Sequence, residues 1–195
     1  MKRRATLLGL PLAIAGCGLS ERPYVDQRQW PLVVPNPDSR PPSPNGLVME
    51  LRDISPAPGL ETRGLQTLRA DGSIVTAFYE QWAVPPAEGV EDQLRRWLAQ
   101  SGQFRAVVSP GTRADPAVTV SGELTVLWTD AAAKVGRAAI ALTAIDVRSA
   151  TPRVMLQRTF SASASDGTSQ TPPATVQAQL AALGDIFGQI AAALG

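Results

Sequence analysis

The chain of 195 residues has one cysteine and no histidine, so any chemistry must come from a single thiol, from carboxylates or from hydroxyls. Without imidazole, the usual general base at neutral pH and the commonest metal ligand are both missing. Histidine-based triads and the familiar zinc sites are thereby excluded. The densest acidic group is Glu88, Glu91 and Asp92. It lacks metal-loop spacing and opens a helical pattern, where negative charge complements the helix dipole. Serines are plentiful, yet no Gly-x-Ser-x-Gly elbow occurs, and the only bases on offer are Lys134 or a carboxylate. Neither a phosphate-cradling glycine loop nor a dinucleotide fingerprint can be read. The expectation is a chain with no catalytic residue, no cofactor and no metal.

Cys17 is the one group whose position suggests a reaction. Lys2, Arg3 and Arg4 precede the apolar run Ala5 to Ile14, which ends in small residues, the three-part layout of a secretory signal. That run falls short of the roughly 20 residues needed to span a bilayer. Its last positions, Ile14, Ala15, Gly16 and Cys17, resemble a lipobox, the recognition sequence of the bacterial lipoprotein-processing enzymes. The resemblance implies that the Cys17 thiol takes a diacylglyceryl group, that residues 1–16 are cut away, and that the new amine is acylated, with palmitate as a typical chain. Several acyl chains anchor stably where a single one holds only marginally. Cysteine arithmetic agrees, because an exported domain normally pairs its cysteines and this one has no partner. Gly18 stands where Asp would signal retention in the inner membrane, so sorting to the outer membrane is favoured.

Removing the signal takes three of the 18 basic residues and leaves 15 against 17 acidic ones. No basic stripe interleaved with aromatics remains, so nucleic acid is not an expected partner. The remaining length suits a lipidated tether over 17–27 and a single α+β domain over 28–195.

Prolines 35, 37, 41, 42 and 44 break any regular ladder between Gly18 and Gly46, within which Trp30 to Val34 could form a short edge strand. Leu47 to Ile54 alternates with a period of two, as a half-buried strand does. Gly64 to Arg69 and Ile74 to Tyr79 flank Asp71-Gly72, a tight-turn pair, and read as a hairpin. Pro86 to Ser101 has helical spacing at Val90, Leu94, Trp97 and Leu98, with Gly102 as its left-handed cap. A short strand is expected at Phe104 to Val108.

Val118, Val120, Gly122, Leu124, Val126 and Trp128 then share one face of a long strand. Ala138 to Val147 and Val154 to Ala162 continue it as an antiparallel meander. Val176, Leu180, Leu183, Phe187, Ile190 and Leu194 draw an apolar stripe along a final helix from Pro172 to Leu194. These elements predict a mainly antiparallel sheet with two helices packed on one face. Trp82, Trp97 and Trp128 are expected in the core rather than along a lipid groove.

In that order, Gly59 to Leu194 resembles the ABC-type transport auxiliary lipoproteins, the PqiC-like family. The resemblance is carried by Pro58-Gly59-Leu60, by Trp82-Ala83-Val84-Pro85-Pro86-Ala87-Glu88, and by Glu91-Asp92-Gln93-Leu94-Arg95-Arg96-Trp97-Leu98. Ser101-Gly102-Gln103-Phe104-Arg105-Ala106-Val107-Val108 completes the densest stretch, and Ser121-Gly122-Glu123-Leu124 and Arg158-Thr159-Phe160 follow later. The family's first strand, an aromatic-x-Leu pattern, is here Trp30-Pro31-Leu32.

The resemblance implies a non-enzymatic accessory at the periplasmic face of the outer membrane. Its partner would be the MCE-domain protein of an ABC transport system that moves lipids between inner and outer membranes. It also implies that a homo-oligomeric ring is open to the chain, although periodicity does not distinguish a ring from a monomer. The alternative is a structural or assembly lipoprotein, pilotin-like, of another envelope machine. A periplasmic hydrolase would need polar side chains converging in a pocket, and Ser163 to Thr171 is the loop first considered for docking.

Overall fold

The computed structural model describes residues 25–167 and 171–195. Along the chain come β1 (Arg28–Trp30), β2 (Val48–Pro56), β3 (Gly64–Leu68), β4 (Ile74–Trp82) and α1 (Pro86–Ala99). They are followed by β5 (Ala106–Val108), β6 (Val118–Asp130), β7 (Val135–Asp146), β8 (Arg153–Ser165) and α2 (Pro172–Leu194). The long strand β6 is the spine of the sheet. Along one edge it pairs antiparallel with β7 from Val118↔Asp146 to Asp130↔Val135, and β7 pairs antiparallel with β8. Its other edge is shared: β2 runs parallel to the first half and β3 parallel to the end. Beyond β2 lies β5, and beyond β3 lie β4 and then β1.

The sheet is therefore mixed, which corrects the expectation of a mainly antiparallel one. The pairings β1 with β4, β2 with β5, β2 with β6 and β3 with β6 are all parallel. Each joins strands distant in sequence. A period of two reports which face a residue takes and is silent on which strand lies beside it or in which direction. Only the hairpin and the meander, whose strands are joined by short turns, carry their pairing in the local sequence.

Several elements begin or end elsewhere than the sequence suggests, β4 running on to Trp82 and β5 beginning only at Ala106. The first strand stops at Trp30, because Pro31 has no N–H to continue the ladder; Leu32 and Val34 are buried as the chain crosses α1, and the Val34 N–H donates to Gln93 Oε1 at 3.0 Å. Helix α1 ends at Ala99 with Gln100 as its cap, and Gly102, at φ 75°, turns the chain two residues later.

Both helices cover one face, where the Trp97 ring of α1 meets the Phe187 ring of α2 edge-on at 5.7 Å. Leu94, Leu98, Leu124, Ile140, Leu142, Leu183 and Phe187 are fully buried between sheet and helices. Each such side chain contributes about 1.5–3 kcal/mol relative to exposure. Gly136 lets α2 approach closely: a Cβ there would collide with the backbone of Ala178 and Gln179. Beside that contact the Gln179 amide donates to Thr129 Oγ1 at 2.9 Å, a buried polar link from helix to sheet.

One face assignment changes midway along β6. A bulge between Leu124 and Val126 shifts the register, so Leu127 and Thr129 turn into the core while Val126 and Trp128 go to the opposite face. Trp82 and Trp97 are buried as expected, whereas Trp128 lies half-buried beside Arg137, Ala139, Ser161 and Ser163 on the side away from the helices. An extra residue in a strand inverts every alternation after it.

Candidate functional site

Two members of the acidic group on α1, Glu91 and Asp92, are engaged in holding the fold. Strand β2 bulges between Leu51 and Ile54, which frees the Ile54 N–H, and that N–H donates to Glu91 Oε2 at 3.3 Å. Glu91 also pairs with Arg95 at 3.5 Å, and Arg95 donates to Ser109 Oγ at 2.7 Å beyond β5. Asp92 pairs with Arg96 at 2.9 Å. One carboxylate thus satisfies a backbone donor that the bulge exposes, and the network ties helix, bulge and following loop together. Among the described residues no group of three or more His, Cys, Asp or Glu side chains is placed to hold a metal.

The concavities are shallow and distributed. On the sheet face away from the helices, Asp53, Ser55, Ser121, Glu123, Thr143 and Arg158 line a polar cleft of about 630 Å³. On the helical side, Val33, Val34, Pro35, Trp97, Leu180 and Gly184 border an apolar groove of about 520 Å³ between the proline-rich segment and α2. In the polar cleft the Ser55 hydroxyl donates to the Gly122 carbonyl at 3.3 Å. Arg158 lies over the Phe160 ring at 5.1 Å on β8, whose outer edge pairs with no strand among the described residues, and a charge there opposes edge-to-edge pairing.

The carboxylates whose pKa moves lie in the hairpin turn, Asp71, or at strand ends, Asp130 and Asp146. The Arg148 side chain beside Asp146 holds that carboxyl down at about 2, helped by the Arg148 backbone N–H. Asp71 is lowered by the Ser73 hydroxyl and N–H in the hairpin turn, and Asp130 by the Ala133 N–H and by Arg137. Each of these groups caps a connection between strands.

Cys17 and the lipobox residues Ile14, Ala15 and Gly16 lie outside the described residues. Of the loop considered for docking, Ser163 to Ser165 form the end of β8, and residues 168–170 also lie outside the described residues. Sequence reasoning placed Phe78 and Tyr79 in an ordinary strand. They sit instead in a bulge, where Gly64↔Gln81 is followed directly by Gln66↔Thr76, and Phe78 is 72% exposed. Two successive large aromatics break the period of two and were the available signal.

No curated protein matches the sequence. Among solved structures, the fold is similar to that of an uncharacterized protein with a TM-score of 0.69 at 13% identity, covering 88% of this chain and 100% of that one. It is also similar to protein XCC0632 from Xanthomonas campestris, of the DUF330 family, with a TM-score of 0.66 at 20% identity over 84% of this chain and 92% of that one. The hypothetical protein CT253 from Chlamydia trachomatis follows, at a TM-score of 0.53 and 11% identity, covering 76% of this chain and 98% of that one. At such identities these likenesses speak for the fold alone. The sequence itself matches the family described as the ABC-type transport auxiliary lipoprotein component over residues 31–191. By that match the chain belongs to the ABC-type transport auxiliary lipoprotein component family.

Proposed function

We propose that the chain is anchored through acylated Cys17 at the periplasmic face of the outer membrane. There it docks the MCE-domain component of an ABC transport system, so that lipid can pass between the inner and outer membranes. The observation that carries this reading is the family match from residue 31 to residue 191, which begins 14 residues after the cysteine of a lipobox. The anchor brings the folded domain to the membrane, the shallow clefts serve docking, and the work of transport is supplied by an ATPase elsewhere in the system. The role is one of position and contact rather than of bond chemistry.

The test is in-cell crosslinking, followed by purification from membranes and mass spectrometry of the proteins recovered. The same spectra report whether the N-terminal peptide carries diacylglyceryl and acyl groups on Cys17. Recovery of an MCE-domain protein supports the reading. Repeated recovery of secretion or polymer-assembly subunits alone would replace it with a structural lipoprotein.

A further inference from the structure

We infer that the exposed bulge at Phe78 and Tyr79 is a second membrane contact, inserted at the headgroup level of the bilayer that holds the Cys17 anchor. This rests on the anchoring proposed above and assigns the anchored domain an orientation. Strand β4 is the last full strand on its side of the sheet, and the edge strand β1 covers only Glu80–Trp82 of it. Just before that covered stretch the three-residue register shift against β3 pushes Phe78 and Tyr79 out of the ladder. Gly64 permits the crowding, since a Cβ there would meet Ala77 O and Thr76 Cγ2. Phe78 is 72% exposed and Tyr79 46%, with the two rings stacked edge-on at 5.0 Å. Ile74, 47% exposed, begins the same strand.

The course of the chain identifies the occupant. Because β1 runs parallel to β4, the residues before Arg28 lead back past the bulge, and Gln27 Nε2 donates to the Phe78 carbonyl at 3.4 Å. Val25, 50% exposed, continues in that direction. Only 11 residue steps separate Cys17 from Arg28, a reach of at most about 40 Å when fully extended. With the anchoring proposed above, the bilayer lies within that reach of the exposed aromatic pair. A ring with a polar tip, such as Tyr79, suits the boundary between headgroups and acyl chains, and an exposed Phe gains there what it loses in water. The neighbouring ion pair of Arg28 with Glu80, at 3.5 Å, remains at the level of water and headgroups.

The experiment uses the full lipidated chain in phosphatidylethanolamine and phosphatidylglycerol vesicles, with part of the lipid brominated at shallow acyl positions. Phe78→Trp and, separately, Tyr79→Trp are compared with the unsubstituted protein, and Met155→Trp, at the opposite end of the sheet on β8, serves as control. The expected result is that emission from the added indole shifts to the blue and is quenched about twofold at residues 78 and 79 but not at 155.

Flotation of the vesicles reads the anchor independently. If the unsubstituted chain fails to float, the anchoring reading falls and takes this one with it. If it floats while indoles at 78 and 79 emit as in water, the anchor stands and the docking of the bulge is overturned. A blue shift that appears without lipid, or grows with protein concentration, would assign the bulge to a protein contact and would equally overturn it.

Discussion

Helix α1 carries Glu88, Glu91, Asp92, Arg95 and Arg96 in 14 residues, whereas α2 carries only Asp185 in 23. Both cover the same face of the sheet. The first does so as a surface helix, with Val90, Leu94 and Leu98 turned inward and charged side chains that reach the β2 bulge and the loop after β5. The second lies over β7 and β8 almost without charge, and in place of long side chains it brings its own backbone against Gly136. The contrast teaches that α1 is positioned by polar contacts at its rim and α2 by volume. The helices meet each other in the ring contact of Trp97 with Phe187, and Gln179 adds a buried hydrogen bond from α2 to the sheet.

The largest test of that contrast is Phe187→Ala, expected to cost about 3–5 kcal/mol because the ring is fully buried and nothing can fill its place. Urea unfolding measures it, and a loss below about 1 kcal/mol would mean that α2 is not part of the cooperative core. Next comes Gly136→Val, expected to lose about 1–3 kcal/mol or more by forcing helix from strand. Its companion Gly188→Ala faces open space and should gain up to about 1 kcal/mol from helix propensity alone. Equal effects at the two glycines would remove the argument that close approach, rather than flexibility, selects glycine at 136.

On α1, Gln93→Ala leaves the Val34 N–H without its acceptor. The expected cost is about 1–3 kcal/mol, with faster amide exchange confined to residues 32–37. Exchange that spread along the whole helix would show that α1, like α2, is held by volume. The smallest effect belongs to the exposed turn pair of Asp146 and Arg148. Its carboxyl is lowered in the folded protein from 3.8 to about 2, so its contribution is complete above the unfolded value and is lost as pH falls toward the folded one. Asp146→Asn should therefore lower stability slightly at neutral pH, match the parent below the folded value, and flatten the acid-side slope between the two values, as acid titration of unfolding would read.

Much of the local structure was legible along the chain. The helix at residues 86–99 shows in the spacing of Val90, Leu94 and Leu98, the hairpin in Asp71-Gly72, and the meander in three alternating runs joined by short turns. Trp128 was misassigned because alternation was carried through Leu124 without a break, and a single unpaired residue there exchanges the two faces. The lipobox proposed at Ile14 to Cys17 was legible as a linear segment, which requires no partner from elsewhere in the fold. The aromatic bulge was not, since its exposure depends on a register shift between β3 and β4 and on where the short β1 ends.

What the sequence determined by itself was everything that depends on neighbours within a few residues. That includes the pattern proposed as an export signal before Cys17, the absence of histidine, the helix stripes, the turns and the pairing of strands joined by turns. What only the tertiary structure decided was which distant strands lie side by side. The long strand β6 takes β2 and β3 on one edge in parallel, and Leu51, Leu124 and Ile140 of the sheet are buried with Phe187 of α2 in one core. Backbone ladders accept almost any strand in either direction, so the partner is chosen by the packing of the side chains on the shared face, and that packing exists only once the whole chain has closed on itself.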